Sequence, residues 1–289
     1  MYILLDINVH FLYAFLNGAA HPKQKRADME VIIRPTTEAA IELAARLVAR
    51  HVQKKSDIVL GLATGRTMEP LYDRLAKWHR EGTLDFSKAR SFNLDEYIGM
   101  APEDANSYRH YMNEHLFRKV NIDLKNTYIP VGNAPNLSAE CERYEQCIKD
   151  CGGIDIQLLG LGEVGHIGFN EPLSSLTSRT RPKALTPHTI AQNGPLFANP
   201  ADMPKRAITM DIGTILESRN ALMVVTGKKK AGILAASVEG PITSMISASA
   251  LQLHPHCVII VDEDAASELK GQDYYRWIFE NEPHWKDFH

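Results

Sequence analysis

The feature that most constrains this chain is a recurring alternation of short, continuously apolar runs with longer segments of helical periodicity. Residues 31–33, 57–62, 91–94, 127–131, 154–159, 207–210, 221–226 and 257–261 read as strands of the continuous, buried kind. Between them, residues 69–79, 106–117, 138–149, 229–237 and 243–251 read as helices, and Thr36 or Thr37 can cap another. In that other helix Ile41, Leu43, Ala44, Leu47, Val48 and Val52 recur at helical spacing. Buried strands joined through helices make a parallel sheet covered on both faces. The expected fold is therefore α/β, a Rossmann-like parallel sheet in a single domain. There are no repeats and no low-complexity linker, and Gly152–Gly153 and Gly240–Pro241 read as turns.

The regular pattern begins near Met29, so the expected division is a leader over residues 1–28 and one domain over 29–289. The leader reads either as an extension or as an upstream start. Its apolar stretch lacks a basic flank before it, carries Asp6 and precedes the basic Lys23–Arg26, so it does not read as a secretion signal. No apolar run approaches the roughly 20 residues of a membrane helix. The formal charge is −3, which lacks the basic field that nucleic-acid binding requires. Cys141, Cys147, Cys151 and Cys257 match no zinc spacing and read as reduced thiols of a cytoplasmic protein.

Ligands of open α/β sheets bind beyond the carboxyl ends of the strands, which directs attention to the loops there. The first, Ala63-Thr64-Gly65-Arg66-Thr67, joins a strand to a helix and offers backbone N–H groups, hydroxyls and a guanidinium to a phosphate. The spacing is neither that of a P-loop nor that of a dinucleotide fingerprint. The second carries adjacent acids, Asp95 and Glu96, which can titrate apart and leave one as a base near neutrality. The third, residues 160–172, is glycine-rich and places His166 five residues before Glu171, a His–carboxylate pair suited to proton transfer. A fourth, Gly227-Lys228-Lys229-Lys230, could set a lysine on a phosphate. These loops point to a phosphorylated small substrate and to acid–base chemistry by Asp95 and His166. No nucleotide motif and no metal-ligand spacing occurs, so neither cofactor nor metal is expected.

In combination, FNLDEYIGM, GLGEVGHIGFNEP, SSLTSRTR and ALQLHP resemble the glucosamine-6-phosphate deaminase/isomerase family over about residues 29–270. The resemblance implies a metal-free conversion of glucosamine 6-phosphate to fructose 6-phosphate and ammonia in the cytoplasm. It implies that Asp95 is the base moving a proton between C2 and C1, that His166 assists ring opening and that Glu171 is its carboxylate partner. Thr64, Gly65 and Thr67 match the phosphate loop and Lys230 a phosphate-binding lysine, with Arg66 and Glu96 added to the substrate side. Ser174, Ser175, Arg181 and Lys183 match an allosteric site for N-acetylglucosamine 6-phosphate found in regulated, commonly hexameric, members, so a homo-oligomer is implied.

The departures cluster at the site. Val164 stands where the family usually has Asp, with Glu163 beside it as the candidate replacement in the catalytic group. Arg66 and Met68 change the phosphate loop. Pro195 stands where an arginine usually contacts the phosphate, which makes Arg66 its candidate successor. Alternatives are a galactosamine-6-phosphate deaminase, a 6-phosphogluconolactonase-like hydrolase and a non-catalytic phosphosugar-binding regulator. Ammonia release separates the deaminases from the other two.

Overall fold

A computed structural model describes residues 28–289. The leader expected over 1–28 lies outside the described residues except for Asp28, which opens the first strand. The strands are β1 (Asp28–Arg34), β2 (Val59–Leu62), β3 (Arg90–Asn93), β4 (Asp95–Tyr97), β5 (Thr127–Tyr128), β6 (Ile156–Leu159), β7 (Arg181–Ala184), β8 (Arg206–Thr209), β9 (Ala221–Val225) and β10 (His256–Asp262). The helices are α1 (Thr37–Lys54), α2 (Glu69–Arg80), α3 (Tyr108–His115), α4 (Leu137–Asp150), α5 (Pro187–Asn193), α6 (Ile212–Leu216), α7 (Ala231–Val238), α8 (Glu263–Ala266) and α9 (Gln272–Asn281).

Seven strands form one parallel sheet in the order β1-β10-β9-β6-β2-β3-β5. The chain builds outward from β2 through β3 to β5, then returns to lay β6 on the other side of β2. That reversal opens a crevice between the carboxyl ends of β2 and β6, where the loop at 63–67 and the loop at 160–172 both emerge. Beside β6, the Gln157 side chain packs over bare Gly61 of β2, where a Cβ would fall 2.0 Å from Gln157 Oε1.

The core follows from the apolar pattern. Every residue of β9 and of β6 is buried, and α1 turns Ala40, Ile41, Ala44, Ala45, Val48 and Val52 inward. Thr36 caps α1 by accepting the Ala39 N–H at 3.1 Å. Among the described residues, no helix is long and apolar enough to cross a membrane.

Three expectations need correction. Residues 207–210 do not join the parallel sheet. Residues 207–209 lie in β8, the middle of a separate antiparallel sheet ordered β4-β8-β7, with Met210 just beyond its end. The continuous apolar run that suggested a parallel strand reflects burial on both faces, under the main core on one side and a smaller core on the other. That smaller core gathers Tyr97, Phe169, Leu185, Phe197, Met203 and Ala207. Residues 243–251 are not an α-helix, because Ser249 Oγ accepts from the Thr243 N–H and donates to backbone carbonyls, leaving a 3-10 turn over Ser247–Leu253. The strand expected over 127–131 stops at Tyr128. Pro130 has no N–H for a ladder, and the Val131 N–H goes to Glu140 Oε1 at 2.8 Å.

Candidate active site

The loop after β6 is shaped by its glycines. Gly162 N–H donates to the His166 carbonyl at 2.8 Å, and Gly165 turns the chain with φ 80°. The tight turn folds the His166 ring back over Gly162, where a Cβ would fall 2.2 Å from the imidazole Cδ2 and Nε2. The ring's Nδ1 then stands 3.4 Å from Glu171 Oε2, and among the described residues no hydrogen bond of good geometry reaches either atom. This is ion-pair distance with imperfect hydrogen-bond direction. The other Glu171 oxygen accepts the Thr186 N–H at 3.1 Å and the Thr186 hydroxyl at 3.3 Å. Burial alone would raise the Glu171 carboxyl. Donors from His166, Thr189 and the Thr186 amide outweigh it and hold the group down at about 2.

Asp95 comes from the separate antiparallel sheet. After β3, Leu94 carries the chain across into β4, where Asp95 sits opposite Thr209 of β8. Its carboxylate is buried, and among the described residues no hydrogen bond or ion pair reaches it. Burial, with the Glu96 charge adding to it, pushes Asp95 up to about 8. The Phe169 N–H donates to Thr209 Oγ1 at 3.0 Å and so ties the His166 loop to the strand beside Asp95. A Cβ on Gly168 would lie 3.4 Å from Asp95 Oδ2 and 3.0 Å from Thr209 Oγ1. With φ at 57° as well, Gly168 is where only glycine lets loop and carboxylate approach.

The loop after β2 lies across the crevice. Gly65 takes φ 117°, and its carbonyl accepts the Met68 N–H at 2.8 Å and the Tyr111 hydroxyl at 3.0 Å. Thr64 and Thr67 are half-buried, and Arg66 is exposed. Lys230 closes the 3-10 turn that follows β9, beside β6 in the sheet. Burial lowers its ammonium pKa, and the Glu163 carboxylate opposes that shift. Loops after β2, β3, β6 and β9 thus bring donors, cations and a base to one end of the sheet.

Two expected residues are used differently. Glu96 was expected on the substrate side, but strand alternation turns it to the face opposite Asp95. There its carboxylate accepts the Tyr97 and Tyr108 N–H groups at 2.9 and 3.0 Å and the Arg109 N–H at 3.1 Å. Glu163, expected to replace a missing acid beside His166, instead meets His188 Nε2 at 3.0 Å. A shift of one position along this loop changes the side-chain direction. Of the expected effector residues, Ser174 is buried and donates to the Glu171 carbonyl at 2.6 Å, while Ser175 is exposed. Arg181 is held at 2.6 Å from the buried Asp211, and Lys183 lies two residues further along β7.

Thr186, Thr209 and Tyr111 escaped sequence reasoning. Thr186 carried a signal, a threonine before proline at a helix start, but that pattern reports a cap and not a contact to Glu171. The other two act across distant segments.

Residues 34–259 match the family model described as glucosamine-6-phosphate isomerases/6-phosphogluconolactonase. The chain belongs to this family. Within it, a glucosamine-6-phosphate deaminase of Cellvibrio japonicus (strain Ueda107) is 49% identical over 250 residues, covering 86% of this chain and 95% of that one. The glucosamine-6-phosphate deaminase of Arthrobacter sp. (strain FB24) is 44% identical over 258 residues, 89% of this chain and 99% of the relative. A solved structure described as a monomeric glucosamine-6-phosphate deaminase shares 43% identity with a TM-score of 0.81, covering 83% of this chain and all of that one. The 6-phosphogluconolactonase of Trypanosoma brucei, at 18% identity and a TM-score of 0.65, shares the fold.

Proposed function

We propose that this chain carries out the isomerising deamination of glucosamine 6-phosphate, yielding fructose 6-phosphate and ammonia. The observation that carries the reading is the close packing of Asp95 against Gly168, in the same loop that holds the His166–Glu171 pair. Among the described residues no hydrogen bond or ion pair reaches the buried Asp95 carboxylate, and His166 lies two residues before Gly168 with Glu171 at 3.4 Å. Relatives at 44–49% identity bearing the deaminase name support the same substrate.

The residues divide the work as follows. Thr64, Gly65 and Thr67, with Arg66 and Lys230, hold the 6-phosphate. His166, oriented by Glu171, moves the proton that opens the sugar ring to its aldehyde. Asp95 then removes the C2 proton, which the C1 aldehyde acidifies, and returns it to C1. In the intervening enolamine the nitrogen has given a proton to the C1 oxygen, so protonation at C1 leaves a C2 iminium; water adds to C2, and ammonia leaves to give the ketone. In the free protein Asp95 is largely protonated at neutral pH, since burial has raised it to about 8. The substrate's C2 ammonium is a cation placed beside it, and a nearby opposite charge favours the ionised base.

The resemblance adds an effector site and an assembly to the proposal. Ser175, Arg181 and Lys183, with the Ser174 backbone, form the site for N-acetylglucosamine 6-phosphate, and the chain assembles as a homo-oligomer in the cytoplasm. Sedimentation tests the assembly against the solved relative described as monomeric.

The deciding experiment measures ammonia and ketose phosphate from glucosamine 6-phosphate and from galactosamine 6-phosphate, with Asp95→Asn as control. Turnover of the first sugar, lost in the control, supports the reading. Conversion of only the second sugar, or binding without ammonia from either, overturns it.

A further inference from the structure

Three parts of the site meet on one short helix. The N-terminus of α3 is taken by Glu96, the residue next to Asp95. One turn on, the Tyr111 hydroxyl donates to the Gly65 carbonyl in the loop after β2. Tyr108, at the start of the same helix, stacks on Phe169 of the His166 loop with the rings 6.1 Å apart and 17° from parallel. The proposed substrate must span from its phosphate at the first loop to C2 at Asp95, and α3 bridges those two places.

Ordinary capping does not account for Glu96. The helix already has a local cap, because Ser107 Oγ accepts the His110 N–H at 3.0 Å. Glu96 adds a second acceptor from a distant strand, and it does so as a buried carboxylate, which costs desolvation. Burial pushes it up to about 7 even though three backbone N–H groups oppose that rise. Local helix stability does not require so expensive a contact. Fixing α3 to the strand that carries Asp95 does.

We propose that α3 is the spacer that sets the distance between the phosphate loop and the proton-transferring carboxylate, with Glu96 and Tyr111 as the positioning residues that fasten it to each. The proposal rests on the deaminase reading of the site. Neither residue reaches the substrate, and each acts through the placement of Asp95 or of the loop at 63–67. The charged and titratable groups near Glu96 are its chain neighbours Asp95 and Tyr97, on the other face of the strand, and Tyr108 and Arg109 on α3.

The test uses the full chain with Glu96→Gln, Tyr111→Phe and the double variant. Binding of glucosamine 6-phosphate is measured by calorimetry, kcat and KM across pH, and unfolding by heat. Small misplacements of reacting groups have large rate effects. Tyr111→Phe is expected to weaken binding and raise KM about tenfold while kcat stays within about twofold. Glu96→Gln is expected to lower kcat about tenfold and to raise KM as well. It also moves the acid limb of kcat/KM to lower pH, because Asp95 loses a like charge. The two effects on KM are expected to be non-additive, since both pass through α3.

Variants that melt earlier but keep wild-type KM and pH limb overturn the proposal and leave Glu96 as a cap. If Glu96→Gln does not fold, Tyr111→Phe decides alone, and unchanged binding overturns the spacer. A wild-type chain that binds the sugar without releasing ammonia overturns the deaminase reading separately. The ratio of dissociation constants between Tyr111→Phe and wild type then still tests the spacer.

Discussion

The imidazole of His166 rests on the bare Cα of Gly162, at a spot where a methyl group would be 2.2 Å from two ring atoms. The backbone at Gly162 is not left-handed, so alanine is excluded by the ring alone. Gly162→Ala must therefore turn His166 away and lengthen its 3.4 Å approach to Glu171. The expected result is a fall in kcat of roughly 100-fold with little change in thermal unfolding, because Gly162 and His166 are themselves only half-buried and the ring can swing outward. Ammonia-release kinetics alongside a melting curve check it, and wild-type kcat would refute the placement of His166.

Asp95 gives a prediction in pH. Its folded value, about 8, stands above the ordinary 3.8, so the base form of the free protein grows as pH rises through about 8. The kcat/KM profile, which reports the free protein, is expected to bend near pH 8, with the kcat limb lying lower where the substrate ammonium is bound. A flat kcat/KM between pH 6 and 9 would remove Asp95 as the base.

The same shift predicts stability. A carboxyl whose folded value is raised binds its proton more tightly when folded. Its destabilising effect is absent below about pH 4 and is fully developed above about pH 8. Asp95→Asn removes the buried charge. It is expected to abolish turnover and to stabilise by about 2 kcal/mol at pH 9, a rise of roughly 4 °C in Tm, with no gain at pH 4. Melting the two proteins across pH reads this directly.

What the sequence made legible, and what it did not, follows the range of the interactions. The parallel sheet was readable because β9 is buried throughout and apolar along its whole length, while β6 is buried throughout and β10 mostly so, and both are mostly apolar. Asp95, His166 and Glu171 were readable because they sit in short motifs on loops after strands. The antiparallel sheet was not, since β7 is a half-exposed Arg-Pro-Lys-Ala segment whose pairing with β8 gives no local periodicity. The role of Glu96 was hidden for the same reason. Beside Asp95 it looks like half of an acid pair, and only strand alternation and the return of α3 turn it toward backbone donors. Glu163 was misjudged because its partner, His188, is 25 residues away.

Glu171 is the opposite case to Asp95. Its donors hold the folded carboxyl at about 2, below the ordinary 4.5. The stability this contributes is present above about pH 4.5 and is lost as pH falls toward 2. Glu171→Gln leaves the Thr186 amide an acceptor but removes the charge facing His166. The expected loss is about 2 kcal/mol at pH 7, shrinking below pH 4.5 and approaching zero only near pH 2, with kcat down about tenfold or more. A variant equally destabilised at pH 3 and pH 7 would show that packing, not charge, is what Glu171 supplies.

The phosphate contact gives the last prediction. Pro195 lies in a 3-10 turn and brings no cation to the site, while Arg66 is exposed and, among the described residues, makes no ion pair. A guanidinium with no protein partner at the mouth of a phosphate loop keeps its donors for the ligand. Arg66→Ala is expected to leave Tm unchanged, since no fold contact is lost, and to raise KM for glucosamine 6-phosphate about tenfold, one charge-assisted hydrogen bond's worth. Added salt is expected to raise KM more steeply in the wild type than in the variant, because an exposed cation is screened. Lys230→Ala is the contrast. Its ammonium is half-buried and burial lowers its pKa, so that change is expected to raise KM with less dependence on salt and without lowering Tm. Unchanged KM in Arg66→Ala would leave the phosphate to Lys230 and the backbone amides of the loop.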